Sequence, residues 1–461
     1  FYFLHFISYN KMQYFGFLCQ QNLKIETVIY FILQFISITG IKMLYDGILF
    51  NNGILNNIIY GNLDESCFNT LIQHDFTRLH QEKFMFKHLD MDYHFTMCEH
   101  TRKGFQSRYH MSVNAYSNLV NLLHDDIAPN EIKSRNSTSN NKPVTAKMVT
   151  CIGLRFMGGE KVKSLADIYG ISARHADRTV EKFLDAVDHS ANPLLSYELL
   201  PRTPEEKAKL ANNWNKCSGG FGIMYGHLAA LDGWLCTTQK PFDVTNPSDY
   251  RSGHYQRFGL NVQAMSDANL RIIYSSVAGP GKMNDARAYR KMIGLQQWLD
   301  ELDERYFCSG DNASRLSNKI LIPFSGASRY EGYNLTYNYN LSQLRIRIEI
   351  AFGRLTTKWQ IFRSDLNCST KKNCQIIRVG IKLHNYVINA DNINLMRYDC
   401  DNFSDMGVEP LEDGPEGNRG FLPSSLALAF NNPSNPRRDR IVEMIEERDI
   451  VRPAHNIARN G

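Results

Sequence analysis

Leu228-Ala229-Ala230-Leu231-Asp232-Gly233 is the stretch on which the fold turns. A short apolar run delivers one carboxylate and stops at glycine, the pattern of a buried strand with an acid at its end. Further on, Phe258 to Met265 alternates through Phe258, Leu260, Val262 and Ala264, which is strand periodicity. Asp267-Ala268-Asn269 supplies turn chemistry and Leu270 to Val277 returns, so the two runs predict a hairpin. Asp285 to about Leu302 reads as helical, and Arg305 to Ser309 as another strand, ending at Gly310-Asp311. Leu321 to Phe324 is extended. Ser342 to Trp359 predicts a helix with Leu344, Ile348, Phe352 and Leu355 on one stripe. A last helix, Asn373 to Ala390, carries Ile376, Ile377, Val379, Ile381 and Leu383. A hairpin-led sheet with helices packed on it is a mixed α/β layer.

Upstream the period changes. Tyr116, Leu119, Val120 and Leu123 recur at helical spacing, with Ser112 as N-cap and Met111 placed as a hydrophobic staple on Tyr116. The Asn- and Ser-rich stretch from Asn130 to Lys142 reads as a loop. Lys147 to Val187 predicts three helices: Met148 to Phe156, then Leu165 to Tyr169 capped by Ser164, then a helix capped by Ser172 and running to about Val187. Gly170 makes the turn between the last two, which is the helix-turn-helix pattern. The third helix presents Arg174, His175, Arg178 and Lys182, a basic face that suits a DNA groove; the plainer alternative is a solvated face on a helical bundle.

Composition narrows the class without deciding it. The chain of 461 residues has room for two or three domains, and 43% hydrophobic with 11% aromatic residues supports a sizeable core. The charge excess, 52 − 47 = +5, is small for this length and does not by itself indicate nucleic acid. The ten cysteines are scattered, with no CxxC pair; Cys368 and Cys374 are the closest two, with no nearby His pair. Zinc is therefore a poor reading, and reduced thiols in an intracellular compartment fit better. Residues 1–104 form an ill-defined N-terminal extension, 105–192 the helical helix-turn-helix region, 220–390 the mixed α/β domain, and 391–461 a mostly disordered tail with a charged helix at Arg438 to Arg448. Val28 to Ile41 is apolar but short of the roughly 20 residues of a membrane span, and it lacks signal-peptide flanks, which argues against a membrane partner.

The acids arrive from separate elements: Asp232 at a strand end, Asp285 in Gly279-Pro280-Gly281-Lys282-Met283-Asn284-Asp285, Asp311 after a second strand, and Glu349 on a helix. The gaps, 311 − 232 = 79 and 349 − 311 = 38, require strands and a helix to bring them together. Mg²⁺ takes oxygen ligands, and two such ions about 4 Å apart can serve an in-line displacement at phosphorus. Each acid has a plainer reading. Asp311 also suits a turn after Gly310, Glu349 a solvated helix charge, and Asp285 a partner of a helix dipole. Arg345 and Arg347 stand near Glu349 and could pair with it or with a phosphate. His384 in Leu383-His384-Asn385 reads as a packing histidine.

From about Met111 to Asn389, these motifs in their order resemble the PIF/Harbinger group of DDE transposases and their nuclease-like relatives. The resemblance is carried by the helix-turn-helix segment, Leu231-Asp232-Gly233, Gly259-Leu260-Asn261-Val262-Gln263-Ala264, Gly279-Pro280-Gly281 with Asp285, Gly310-Asp311, Arg345 to Leu355, and Leu383-His384-Asn385. It implies an RNase H-like mixed sheet with flanking helices, preceded by an all-helical helix-turn-helix region. It also implies a nuclear location and DNA strand cleavage and joining with two Mg²⁺ or Mn²⁺ ions. Asp232, Asp311 and Glu349 would then be the catalytic triad and metal ligands, and Asp285 a further acid of the metal site. DNA is the implied partner, together with a separate Myb-like DNA-binding protein; a homo-oligomer is left open. Three places depart from the family pattern: Trp234-Leu235 after Asp232-Gly233, Asn312-Ala313-Ser314 after Asp311, and Thr356 after Leu355. A catalytically inactive DNA-binding or regulatory protein is the alternative reading.

Overall fold

The computed structural model describes residues 104–129, 143–217, 222–311, 317–393 and 435–451, with isolated positions between 89 and 98 and at 395. The Val28 to Ile41 stretch and the Asn130 to Lys142 loop lie outside the described residues. Among those described, no helix is long and apolar enough to cross a membrane.

The sheet has five strands: β1 (His227–Thr237), β2 (Gly259–Ser266), β3 (Ile272–Pro280), β4 (Phe307–Ser309) and β5 (Ile320–Leu321). Their order is β3-β2-β1-β4-β5. The first three pair antiparallel, while β4 runs parallel to β1, and β5 parallel to β4. This is the RNase H-like arrangement that the motif order implied. It places the end of β4 beside the acid-bearing middle of β1, with Ser309 opposite Ala230. All eight residues of β2 are buried, as expected of a strand covered on both faces. The β2–β3 turn is held by Asp267, whose carboxylate accepts from the N–H groups of Asn269 and Arg271 at 2.9 Å each and pairs with the Arg271 guanidinium at 2.7 Å. The outer edge of β3 is covered: Asn385 accepts from the Ile272 N–H at 2.8 Å and donates to its carbonyl at 2.7 Å, and the Leu199 N–H donates to Ile273.

Helices close both sides. Before the sheet come α1 (Gly104–Tyr109), α2 (Val113–Ile127), α3 (Ala146–Met157), α4 (Val162–Tyr169), α5 (Ala173–His189) and α6 (Pro204–Cys217). Two short ones, α7 (Asp285–Arg290) and α8 (Ile293–Asp300), lie between β3 and β4, and α9 (Asn334–Lys358), α10 (Thr370–Ala390) and α11 (Pro436–Glu447) follow the sheet. Ser112 and Ser172 cap α2 and α5 as expected. Helix α4 begins at Val162, before the expected cap Ser164, with no side-chain cap; Gly170 ends it in the left-handed conformation. Helix α9 begins eight residues before Ser342. Asn and Tyr at its start favour helix weakly, but Asn338 exchanges two hydrogen bonds with the backbone of Phe324, at 2.8 and 3.0 Å, and fixes that turn from outside. The stripe Leu344, Ile348, Phe352 and Leu355 is buried. Helix α11 seats Ile441 and Ile445 in the core and lays Arg438 over the Phe324 ring at 3.9 Å, so this part of the segment after Asp391 is packed.

The helical layer and the sheet share one core. Gly153 of α3 is the closest approach within the helical layer, since a Cβ there would stand 2.1 Å from the Phe183 ring of α5. Gly153→Ala is expected to overpack this crossing and to destabilise the protein by about 1–3 kcal/mol, read as a lower urea midpoint with unchanged slope.

Candidate active site

Asp232 sits on β1 opposite Ala264 of β2, and half-burial is the first thing acting on its carboxyl. Burial raises it to about 6. The Gly233 N–H, donated to Asp232 Oδ1 at 2.8 Å, and the Arg345 guanidinium pull it down, while the carboxylates of Asp311 and Glu349 push it up again. Two acids, one after the parallel neighbour of β1 and one on a crossing helix, therefore act on the carboxyl of Asp232. Arg345 lies one helical turn before Glu349 on α9, and its Nε is buried with no hydrogen-bond partner. Arg347 is turned away, buried and donating to the Leu395 carbonyl at 2.7 Å.

Asp285 begins α7, behind the Asn284 cap. Its Oδ1 accepts from Gln263 Nε2 at 2.7 Å and from Asn261 Nδ2 at 3.1 Å. Both amides belong to β2, so the strand pattern that predicted Gly259 to Ala264 also carries the clamp on this acid. Gly233 makes the approach feasible: a Cβ there would meet Asp285 Oδ1 at 2.8 Å and Gln263 Nε2 at 2.6 Å. Gly281 has a similar duty, because a Cβ would stand 2.7 Å from the Tyr250 carbonyl. Trp234 packs on Phe352 and Phe362, with centroids 5.7 and 5.4 Å away, and so fills the seam between β1 and α9.

An all-carboxylate donor set suits a hard divalent cation, and an acid raised by neighbouring acids is one that such a cation would relieve. Among the described residues, no group of three or more His, Cys, Asp and Glu side chains stands close enough to hold an ion. In this structure Asp232, Asp311 and Glu349 share a field and not a closed coordination shell. Among the described residues no cysteine forms a disulfide, and two buried histidines hold parts of the fold together. His384 Nε2 donates to the Leu270 carbonyl at 2.8 Å, and burial lowers its pKa to about 4. His227, lowered to about 3 by burial, ties β1 to β4 through Ser309 Oγ at 2.9 Å.

Upstream of the sheet, Arg174, His175 and Arg178 are exposed on the first turns of α5. Burial and Arg178 lower the His175 pKa. Lys182 has a different role. Its Nζ donates to the carbonyls of Ile127 and Ala128, at 2.9 and 2.8 Å, and caps the end of α2.

Residues 231–385 match the family model described as DDE superfamily endonuclease, a segment that begins just before Asp232 and ends at Asn385. The match stands at the level of the superfamily; the PIF/Harbinger assignment within it rests on the motifs alone. No curated protein matches the chain. Two solved structures are similar in part. One, a Mos1 transposase paired-end complex with left transposon end, is 10% identical, covers 44% of this chain and 75% of its own, and has a TM-score of 0.16. The other, a pre-cleavage Mos1 transpososome, is 12% identical and covers 52% and 75%, with a TM-score of 0.16.

Proposed function

We propose that this chain, whose sheet and long helices carry the DDE superfamily endonuclease match, is a DNA-cleaving enzyme of transposase type centred on Asp232. The observation that carries the reading is the superfamily match over residues 231–385, which takes in Asp232, Asp311 and Glu349, on a sheet whose β4, just before Asp311, runs parallel to the Asp232-bearing β1. Asp232, Asp311 and Glu349 would hold Mg²⁺ or Mn²⁺, as one ion or a pair. Bound there, the cation would activate the attacking oxygen and neutralise the leaving one. Asp285, clamped by Gln263 and Asn261, braces the site from the side of α7. Arg345 supplies positive charge beside the acids for the phosphate. Water attacks phosphorus and the strand parts with a free 3′-hydroxyl, which can then attack a second phosphodiester. Arg174, His175 and Arg178 would contact DNA, with Lys182 fixing the helix that bears them.

The open spacing of the acids supports a second reading, a DNA-binding protein without cleavage. One experiment separates the two. The full chain is incubated with DNA bearing candidate terminal repeats in Mg²⁺ or Mn²⁺, and Mn²⁺ binding is followed by calorimetry. Nicking and Mn²⁺ heat are expected in the wild type, with both lost in Asp232→Ala. Cleavage that persists in Asp232→Ala would remove this acid from the centre; salt-sensitive DNA binding with neither nicking nor heat would establish the second reading.

A further inference from the structure

The chain leaves β1 at Thr237 and enters β2 at Gly259. The later part of this connection is a small hairpin. Arg251 and Phe258 pair antiparallel, and the Ser252 N–H donates to the Arg257 carbonyl at 2.8 Å. At the tip Gln256 takes φ 55°, its amide donates to the Gly253 carbonyl at 2.5 Å, and the Tyr255 N–H donates to Ser252 Oγ at 3.3 Å. The base is braced. The Lys282 N–H donates to the Asp249 carbonyl at 2.9 Å, and Arg257 pairs with Asp365 at 3.3 Å.

This framework holds a ring that the core does not use. Tyr255 is 58% exposed, and His254 packs on it edge-on, with centroids 4.6 Å apart. The base of the hairpin meets the Gly281-Lys282 turn, which leads within three residues to Asp285, and the Asp285 carboxylate in turn lies against Gly233, the neighbour of Asp232. Burial first, then the carboxylates of Asp232 and Asp285, raise the Tyr255 hydroxyl above its ordinary pKa. The hairpin thus stands on the side of the two acids, and it also exposes Arg251 and Arg257. An exposed aromatic flanked by arginines is the composition that grips unpaired nucleotides, because every base offers a π-face.

We propose that Tyr255, braced by His254, stacks on an unpaired base of the DNA strand whose phosphate lies at Asp232. The inference rests on the proposed cleavage function and adds a positioning residue to it. The partner is an unpaired nucleotide and not intact duplex, in which the base faces are already stacked on one another.

The test uses the full chain and a forked DNA with 2-aminopurine in its unpaired arm, alongside a fully paired duplex. Quenching of 2-aminopurine reads stacking, anisotropy reads binding, and circular dichroism confirms folding. Wild type and Tyr255→Phe are expected to quench. Tyr255→Ala and Tyr255→Leu are expected to lose the quench and bind the fork about tenfold more weakly, with duplex affinity unchanged. Undiminished quenching in Tyr255→Ala overturns the proposal. So does equal loss on fork and duplex, and so does a Tyr255→Phe loss as large as that of Tyr255→Ala, which would place the effect in the hydroxyl. Each of these leaves the cleavage function standing. Absence of DNA binding by the wild type would instead strike that function, and the proposal with it.

Discussion

Asp232→Asn is expected to make the protein more stable at pH 7 while abolishing its cleavage. The carboxyl titrates at about 6 against an ordinary value of 3.8, because burial and the charges of Asp311 and Glu349 disfavour its ionised form. The fold therefore prefers the protonated acid. That preference contributes fully below about pH 3.8 and is lost as pH rises through about 6. At neutral pH the ionised Asp232 is a burden of up to about 3 kcal/mol, and allowing for its half-burial about 1–3 kcal/mol. Asn is neutral, and its Oδ1 can still accept from the Gly233 N–H. The thermal midpoint of Asp232→Asn should exceed that of the wild type at pH 7, and the two should converge near pH 4. A variant no more stable at pH 7 than at pH 4, relative to wild type, would mean that the acids do not interact as described. Cleavage should fall by roughly 10³-fold or more, since a cation needs this carboxylate. Mn²⁺ affinity in the wild type should weaken as pH falls through 6, where protons and cation compete for the same oxygen.

The strands were legible because apolar runs and turn residues are local signals, but Asp232, expected at a strand end, lies mid-strand, since β1 runs on through Gly233 to Thr237 in its pairing with β2. Asp232 and Gly233 announce a strand that carries a charge, and the Asp267 turn joins β2 to β3 where its chemistry places it. Other features depend on partners far along the chain. Helix α9 starts at Asn334 because Phe324 receives Asn338, which no local propensity contains. Lys182 reads as a groove-facing cation on a helical wheel, yet its acceptors, Ile127 and Ala128, are 55 and 54 residues away. Trp234 could be understood as packing only once Phe352 and Phe362 were known to face it. Tyr255 lies in a connection without periodicity, so its place on the side of Asp232 and Asp285 emerges from the fold alone. The clamp of Gln263 and Asn261 on Asp285 was half visible: alternation put both on one face of β2, but α7 had to bring the acid to them.

Arg378→Met is expected to be among the most destabilising single changes outside the apolar core, at about 3–5 kcal/mol. Arg378 of α10 grips Asp188 of α5 with two parallel hydrogen bonds, Nε to Oδ1 at 2.8 Å and Nη2 to Oδ2 at 2.5 Å. The Asp188 side chain is only 7% exposed, so removal of the guanidinium strands a buried carboxylate. The seam continues in both directions. Lys382 donates to the carbonyls of Val187 and Asp188 at 3.0 and 2.6 Å, Gln375 meets Asp185 at 2.7 Å, and Lys372 meets Glu181 at 3.0 Å. Glu181 is 52% exposed, and Lys372→Ala should therefore change stability by less than about 1 kcal/mol, which separates the buried pair from the exposed one. Arg378→Met/Asp188→Leu should recover much of the loss, because it removes the unpaired charge as well. A urea-unfolding double-mutant cycle measures the coupling; additive single losses would show that the pair contributes no interaction of its own. The same seam fixes the helix bearing Arg174, His175 and Arg178 against the body that bears Asp232. Loosening it should weaken DNA binding in Arg378→Met below the temperature at which the protein unfolds, and the paired double variant should restore that binding along with stability. Full DNA affinity in a folded Arg378→Met would mean that the basic turns of α5 do not need this fixed orientation, and would count against their role as the DNA contact.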